Sequence, residues 1–281
     1  MFSRLSGKAS RGIRRAASFP VELLELHSRA SAVERLSERM LISIPTGAGR
    51  IQFFCPSPLL TNRAETLLSK EPDTIEWIDR FEGPAVFWDV GANVGVFSLY
   101  AAMKSDISVL SFEPLAANFH VLSRNIQIND FGNRITSYCV ALSGTTELGL
   151  LNIQSPAMGS ALTQFGRLGD MSPYCVPGTH GVTQGMIGFT IDDFIHQFQL
   201  GFPNYIKVDV DGLEWSILQG ARKTLENSSL RSLMVELSVS NKPETEQARC
   251  FLEGYGFQLA GIGAPQVTEA GAGANHLFVR H

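Results

Sequence analysis

The ten residues Phe87–Trp88–Asp89–Val90–Gly91–Ala92–Asn93–Val94–Gly95–Val96 decide how this chain is read. An apolar run ends on an acid and then turns through two glycines into a second apolar run. Glycine at the end of a strand lets the backbone come close to a ligand, because a Cβ there would meet the ligand or the turn. The first N–H groups of the helix that follows then face an anionic part of that ligand. A loop that closes on a dinucleotide pyrophosphate has the pattern G-x-G-x-x-G, whereas here Asn93 takes the central place and Asp89 precedes the turn. A carboxylate in that position suits a cation, such as the amino group of a methionine-derived cofactor. Glu113 ends the next apolar run, Val109–Leu110–Ser111–Phe112. It stands roughly 20 residues on, where a ribose-binding carboxylate belongs in such folds.

Outward from this centre, apolar runs of strand length alternate with helical patterns. Strands are expected over 85–90, 108–113, 135–141, 205–209 and 233–237. Helices are expected over 96–104, 116–128, 190–199, 213–225 and 244–254, with Thr190 as the N-cap of the third. A closing hairpin pairs 257–260 with 276–280. The alternation predicts an α/β fold, a parallel sheet covered by helices on both faces. Before it lie a helix over 21–40, expected to cap the main domain or make a dimer contact, a small hairpin (42–44 with 51–54) and helical sequence over 65–81. The domains expected are a basic tail (1–20), an extension (21–82) and a main domain (83–281). Residues 155–188, rich in Gly and Pro, read as a long loop that covers the acceptor as a lid.

A second constellation is Lys207–Val208–Asp209–Val210–Asp211–Gly212–Leu213–Glu214. Strand alternation puts Lys207, Asp209 and Asp211 on one side. Ligands of open α/β sheets bind outside the carboxyl ends of the strands, near the reversal of strand order. Asp89 and Asp209 are therefore expected on neighbouring strands at one rim. Carboxylates there serve as a general base, as hydrogen-bond acceptors for substrate, or as ligands of a divalent metal. Glu236 is a further rim carboxylate, and Glu214 reads equally as a site residue or a first-turn helix acid. The histidines do not cluster; His120, His180 and His276 are weak candidates.

Composition narrows the classes. Of 281 residues 44% are hydrophobic and 18% charged, and the net charge of −4 argues against a broad nucleic-acid surface. Cys55, Cys139, Cys175 and Cys250 contain no C-x-x-C pair, which suits a reducing compartment and no structural zinc. No apolar run has the length of a membrane span, no secretory signal opens the chain, and a cytoplasmic protein is expected. Arg4, Lys8, Arg11, Arg14 and Arg15 form a basic start, read as a solvated tail or a peripheral contact with anionic lipid.

With these residues in view, the sequence resembles FkbM-type methyltransferases. The order of Trp88–Gly95, Phe112–Glu113–Pro114, Asn125 with Asn129, Ala141–Leu142–Ser143, Thr190–Phe194 and Ile206–Glu214 carries the resemblance, and Asn275–His276–Leu277–Phe278 is similar to the family's ending. It departs at Asp211, where the family usually has Glu, and at Ser143–Gly144, in place of an acidic turn. The resemblance implies a Rossmann-like class I methyltransferase fold, a mostly parallel seven-stranded sheet whose last strand is antiparallel, with S-adenosyl-L-methionine as cofactor and no metal assigned. It implies that Asp89, Gly91, Asn93 and Gly95 hold the methionine part, Glu113 the ribose, and that Ala141 and Leu142 border the adenine. The expected reaction is O-methylation of a sugar, glycan or natural-product hydroxyl. Asp209 is the expected base, supported by Asp211 or Glu236, with Lys207 tuning them. A nicotinamide-dependent oxidoreductase, a non-catalytic binding protein in a biosynthetic complex and a homo-oligomer stay open.

Overall fold

The computed structural model describes residues 26–161, 163–167, 182–268 and 271–280. The chain divides into two compact units, Met1–Leu41 and Ile42–His281. In the first, α1 (Leu26–Glu38) lies within the helix expected over 21–40. The basic residues Arg4 to Arg15, together with Cys175 and His180, lie outside the described residues. Among the described residues no helix is long and apolar enough to cross a membrane.

The hairpin β1 (Leu41–Thr46) and β2 (Gly49–Phe54) leads into α2 (Pro58–Glu65) and α3 (Pro72–Asp79). Then follow β3 (Ala85–Val90), α4 (Val96–Ala102), β4 (Ile107–Phe112), α5 (Ala116–Ile128) and β5 (Ile135–Tyr138). Next come the short strand β6 (Ala141–Leu142), β7 (Glu147–Ile153), β8 (Thr163–Arg167) and β9 (Val182–Phe189). The second half holds α6 (Ile191–Phe198), β10 (Tyr205–Val208), α7 (Glu214–Gln219), α8 (Arg222–Glu226) and β11 (Ser232–Ser238). It ends with α9 (Lys242–Gly254), β12 (Phe257–Ile262), β13 (Gln266–Thr268) and β14 (Gly271–Arg280). Thr190 caps α6 as expected, its side chain accepting from the Asp193 N–H.

The main sheet has the order β12-β14-β11-β10-β3-β4-β5, with β13 beside β14. β5, β4, β3, β10 and β11 are mutually parallel, and β14, the last strand, runs antiparallel to both of its neighbours. The chain leaves β3 in one direction through β4 and returns on its other side through β10. Strand order therefore reverses between β3 and β10, the place where the rim of such a sheet opens to a ligand. Alternation along β3 sends Phe87 into the core under α3–α5 and Trp88 and Val90 into the core under α6–α9. Asp89 therefore points, like Phe87, toward α4.

The structure moves three expected boundaries. Residues 42–82 are part of the main unit rather than a separate extension. Asn125 and Asn129, one turn apart on α5, explain part of this. Their side chains bond the backbone of β2 at Gln52 and Phe54, at 2.7–2.8 Å, as a neighbouring strand would. The strand expected over 135–141 breaks at Cys139–Val140, so β6 joins a second sheet, β6-β9-β7-β8. The helix expected over 213–225 is interrupted between α7 and α8, where the Gly220 carbonyl accepts the Asp192 N–H.

The expected lid loop needs a larger correction. Most of its described part is strand: β8 and β9 flank β7 in antiparallel register. One glycine that signals loop, Gly188, has a packing reason, which it shares with Gly149 of β7, while Gly166 and Gly185 have nothing within 4 Å of an added Cβ. A Cβ on Gly149 or Gly188 would lie 2.7 or 2.5 Å from the ring of Phe165, so the ring covers bare backbone. Residues 162 and 168–181 of that stretch lie outside the described residues.

Candidate active site

The end of β3 builds the floor of the site. Gly91 has φ +85°, and its Cα faces the backbone of Asp209 on the neighbouring strand. Asn93 has φ +51°, and its N–H donates to Glu113 at 2.8 Å across the turn. Its Nδ2 donates to the Ser160 carbonyl at 2.9 Å, and its buried Oδ1 has no partner among the described residues. Above this turn opens a cavity of about 530 Å³, lined among others by Gly91, Asn93, Glu113, Asp209, Asp211 and Glu236. That size falls within the range of small-ligand pockets. A narrow apolar slot adjoins it, sharing Gly91, Pro114 and Val210 with the cavity and bordered by Ala141 and Leu142.

Two expected cofactor residues take other places. Asp89 is 2% exposed and off the cavity wall; its Oδ2 accepts the Ser98 hydroxyl at 2.5 Å, and Ser98 in turn meets Ser111 at 2.8 Å. Its carboxylate therefore faces α4 rather than the ligand space, because the alternation of β3 turns it below the sheet. Gly95 also lies off the wall. A Cβ there would come 2.5 Å from Leu122, so this glycine lets α4 start against α5.

On β10 the strand pairing sets Lys207 beside Asp89. Lys207 is 1% exposed, and its Nζ lies 2.5 Å from Asp209 Oδ2, 3.6 Å from Glu71 Oε2 and 4.9 Å from the ring centroid of Phe97. The cation among these carboxylates is thus the lysine itself. Burial works against its charge, but Asp209, Glu71 and Asp89 outweigh it and hold its pKa above the ordinary value. Asp209 hydrogen-bonds Glu236. Burial pushes Asp209 up, yet the Lys207 charge and the bonds from Lys207 and Glu236 bring it below the ordinary carboxylate value. The Asp209 charge, then burial, push Glu236 up to about 9. The opposite directions of the two shifts put the proton that the pair shares on the Glu236 side.

Glu71 stands before Pro72 at the start of α3, yet its side chain makes no capping bond to that helix. It is buried and accepts from Asn275 Nδ2 at 2.9 Å and Thr74 at 3.1 Å, which aims it at Lys207. Arg63 on α2 also lines the cavity, with its Nε donating to the Gly159 carbonyl at 2.6 Å. Neither residue carries a motif. Only the docking of the N-terminal segment onto the sheet brings them in.

Asp211 lines the cavity with φ +59°, which ends the alternation, and its carbonyl accepts from Gln164 at 2.9 Å. Glu214 holds the backbone in place: its carboxylate accepts the N–H groups of Val210 and Gly212 at 3.0 Å and closes the turn. His276 bonds the Ala274 carbonyl at 2.9 Å and His120 is exposed; neither lines the cavity.

Four carboxyls share a direction. Burial pushes Asp89 up to about 6, and Glu113 and Glu214 each up to about 7, while Glu236 reaches about 9. The folded state thus retains protons that the unfolded chain releases near pH 4, so stability falls as pH rises through these values. Buried His276, its pKa lowered, opposes this with a single proton near pH 6.5. Scanning calorimetry should show Tm declining from pH 5 to pH 9, with a shallower decline in Glu236→Gln. A Tm that climbs over that range would refute this balance.

A family model described as the methyltransferase FkbM domain matches residues 89–259, more than half the chain. The chain belongs to the FkbM methyltransferase family. This FkbM chain is 29% identical over 182 residues to hexuronic acid methyltransferase AglP of Haloferax volcanii, covering 63% of this chain and 66% of that one. It is 26% identical to methyltransferase 1 of Beauveria bassiana, covering 61% and 72% of the two chains. An FkbM methyltransferase structure from Methylobacillus flagellatus aligns with a TM-score of 0.46 at 20% identity, over 70% of this chain and 44% of that one. The match thus spans just under two thirds of the Haloferax relative and less than half of the Methylobacillus chain.

Proposed function

We propose that this FkbM chain transfers a methyl group from S-adenosyl-L-methionine to a hydroxyl oxygen of a sugar or natural-product acceptor. The observation that carries the reading is the meeting, in one cavity, of the glycine turn of β3 with the Lys207–Asp209–Glu236 set of the adjacent strands. The residues present fit the cofactor. Gly91 leaves bare backbone at the turn, Glu113 offers a buried carboxylate for the ribose, and Asn93 Oδ1 is an acceptor still lacking a donor. Ala141 and Leu142 border the adjoining slot, whose open volume of about 20 Å³ must widen to take the adenine.

When bound, the cofactor supplies a methyl group on a sulfonium, which is already a good leaving group. What remains for the protein is alignment and one proton. Asp209 has a low proton affinity, but that suffices. An alcohol oxygen becomes strongly acidic as its bond to the methyl carbon forms, so a weak carboxylate base takes the proton. Protonated Glu236 and Lys207 fix the orientation of Asp209. The acceptor end of the cavity mixes apolar Leu67 and Val267 with polar Asn62 and Gln266, a surface suited to a sugar's C–H faces and hydroxyls. The activity named for the Haloferax relative favours the sugar class.

Calorimetric titration with S-adenosylhomocysteine beside NAD tests the cofactor. Micromolar binding of the first alone is expected. Binding of NAD alone would replace the methyltransferase reading with a dehydrogenase one.

A further inference from the structure

The wall that α2 contributes has no part in the proton transfer or in the cofactor contacts described so far. Arg63 lines the cavity together with Asn93 and Glu113. Its Nε bond to Gly159 fixes the guanidinium plane. Gly159 N–H donates to Asn118 Oδ1 at 2.8 Å, and the Ser160 carbonyl accepts from both Asn118 and Asn93. Through this segment the guanidinium is tied to the turn that ends β3.

The other cations on the wall are occupied. Lys207 serves Asp209 and Glu71, and Lys70 lies 3.6 Å from Glu71. Among the described residues Arg63 has no carboxylate within 4.0 Å, and its terminal nitrogens make no hydrogen bond. Neither nitrogen is a sealed orphan. The side chain lines the cavity. A planar fork of N–H donors held this way matches the two oxygens of a carboxylate. A guanidinium tied in this way to the turn that the cofactor reading gives to the methionyl group is the complement of that group's α-carboxylate.

We propose that Arg63 receives the α-carboxylate of the cofactor's methionyl group. This rests on the proposed use of S-adenosyl-L-methionine and adds the residue that recognises its amino-acid end. The N-terminal segment is then part of the cofactor site, and α2 acts as its wall. Arg63 also separates the full cofactor from adenosine derivatives that lack the amino acid.

The test is calorimetry on the full chain with two ligands: S-adenosylhomocysteine, and S-adenosyl-3-thiopropylamine, which keeps the amine and lacks the carboxylate. Arg63→Gln should weaken the first about 30-fold, as loss of a charge-assisted bidentate contact does. It should leave the second within about twofold, which also shows that the variant is folded. Arg63→Lys should recover part of the loss. Equal weakening of both ligands would make Arg63 a structural residue, and unchanged binding of the first would assign the guanidinium to another anion; either overturns the proposal. If the unmutated chain binds neither ligand, the cofactor reading itself fails, an outcome distinct from failure at Arg63.

Discussion

Asp209→Asn lowers kcat by roughly 10²- to 10⁴-fold, the range for loss of a positioned base, while S-adenosylhomocysteine affinity changes less than about threefold. The split follows from the geometry. Asparagine is isosteric, its carbonyl can still accept from Lys207 Nζ, now 2.5 Å from Asp209 Oδ2, and its amide can still meet Glu236. The backbone of residue 209, which faces Gly91, is unchanged. What disappears is the negative charge that takes the acceptor's proton. Glu236 does not substitute for it at neutral pH, because it already holds a proton; removal of the Asp209 charge lowers its pKa, so some activity should return as pH rises. Rapid-quench turnover beside calorimetric binding measures both quantities. Equal loss of turnover and of affinity would remove Asp209 from the role of base and leave it a binding residue.

Gly91→Ala has the other large effect, and here binding and stability fall together. An added Cβ would lie 1.8 Å from the Asp209 carbonyl oxygen and 2.8 Å from its carbon, in a backbone conformation with φ +85°. The left-handed conformation costs roughly 1–2 kcal/mol for a residue with a Cβ. Separating two packed strand ends adds about 1–3 kcal/mol. A total of about 3 kcal/mol corresponds to a Tm lower by roughly 6–12 °C in a chain of this size. The displaced turn also loses its contact with a ligand, so S-adenosylhomocysteine binding falls more than about 100-fold. Gly132→Ala is the control, since nothing lies within 4 Å of a Cβ there. A stable Gly91→Ala protein with normal binding would show that the approach of β3 to β10 is not required.

The sheet was legible because its strands are short apolar runs with helical patterns between them, and the alternation of β and α has few solutions. The rim site was legible for the same reason: parallel strands place their terminal residues on one rim, so Asp209 and Glu113 line one cavity although 96 positions apart. Three things were not. The second sheet uses glycine as a platform for Phe165, and in sequence such a glycine looks the same as one in a loop. Asp89 reads as a ligand residue from its position before the turn, but strand alternation points it at Ser98. Glu71 and Arg63 lie on helices whose local sequence signals only a helix start and a helix end. Their function comes from tertiary docking, through Asn125 and Asn129 on β2 and Asn275 on Glu71. No local pattern encodes that.

Asn275 belongs to β14, which sits between β11 and β12 in the sheet. The ribosome makes β12 before the strand that separates it from the rest of the sheet, so β12 waits unpaired until β14 emerges. The same late strand brings the amide that aims Glu71 at Lys207. Charge at the rim is therefore set only after β14 has been made. A nascent chain that has made every motif residue from Asp89 to Glu236 still has its lysine incompletely held. Closure of the sheet and arming of the site are one event.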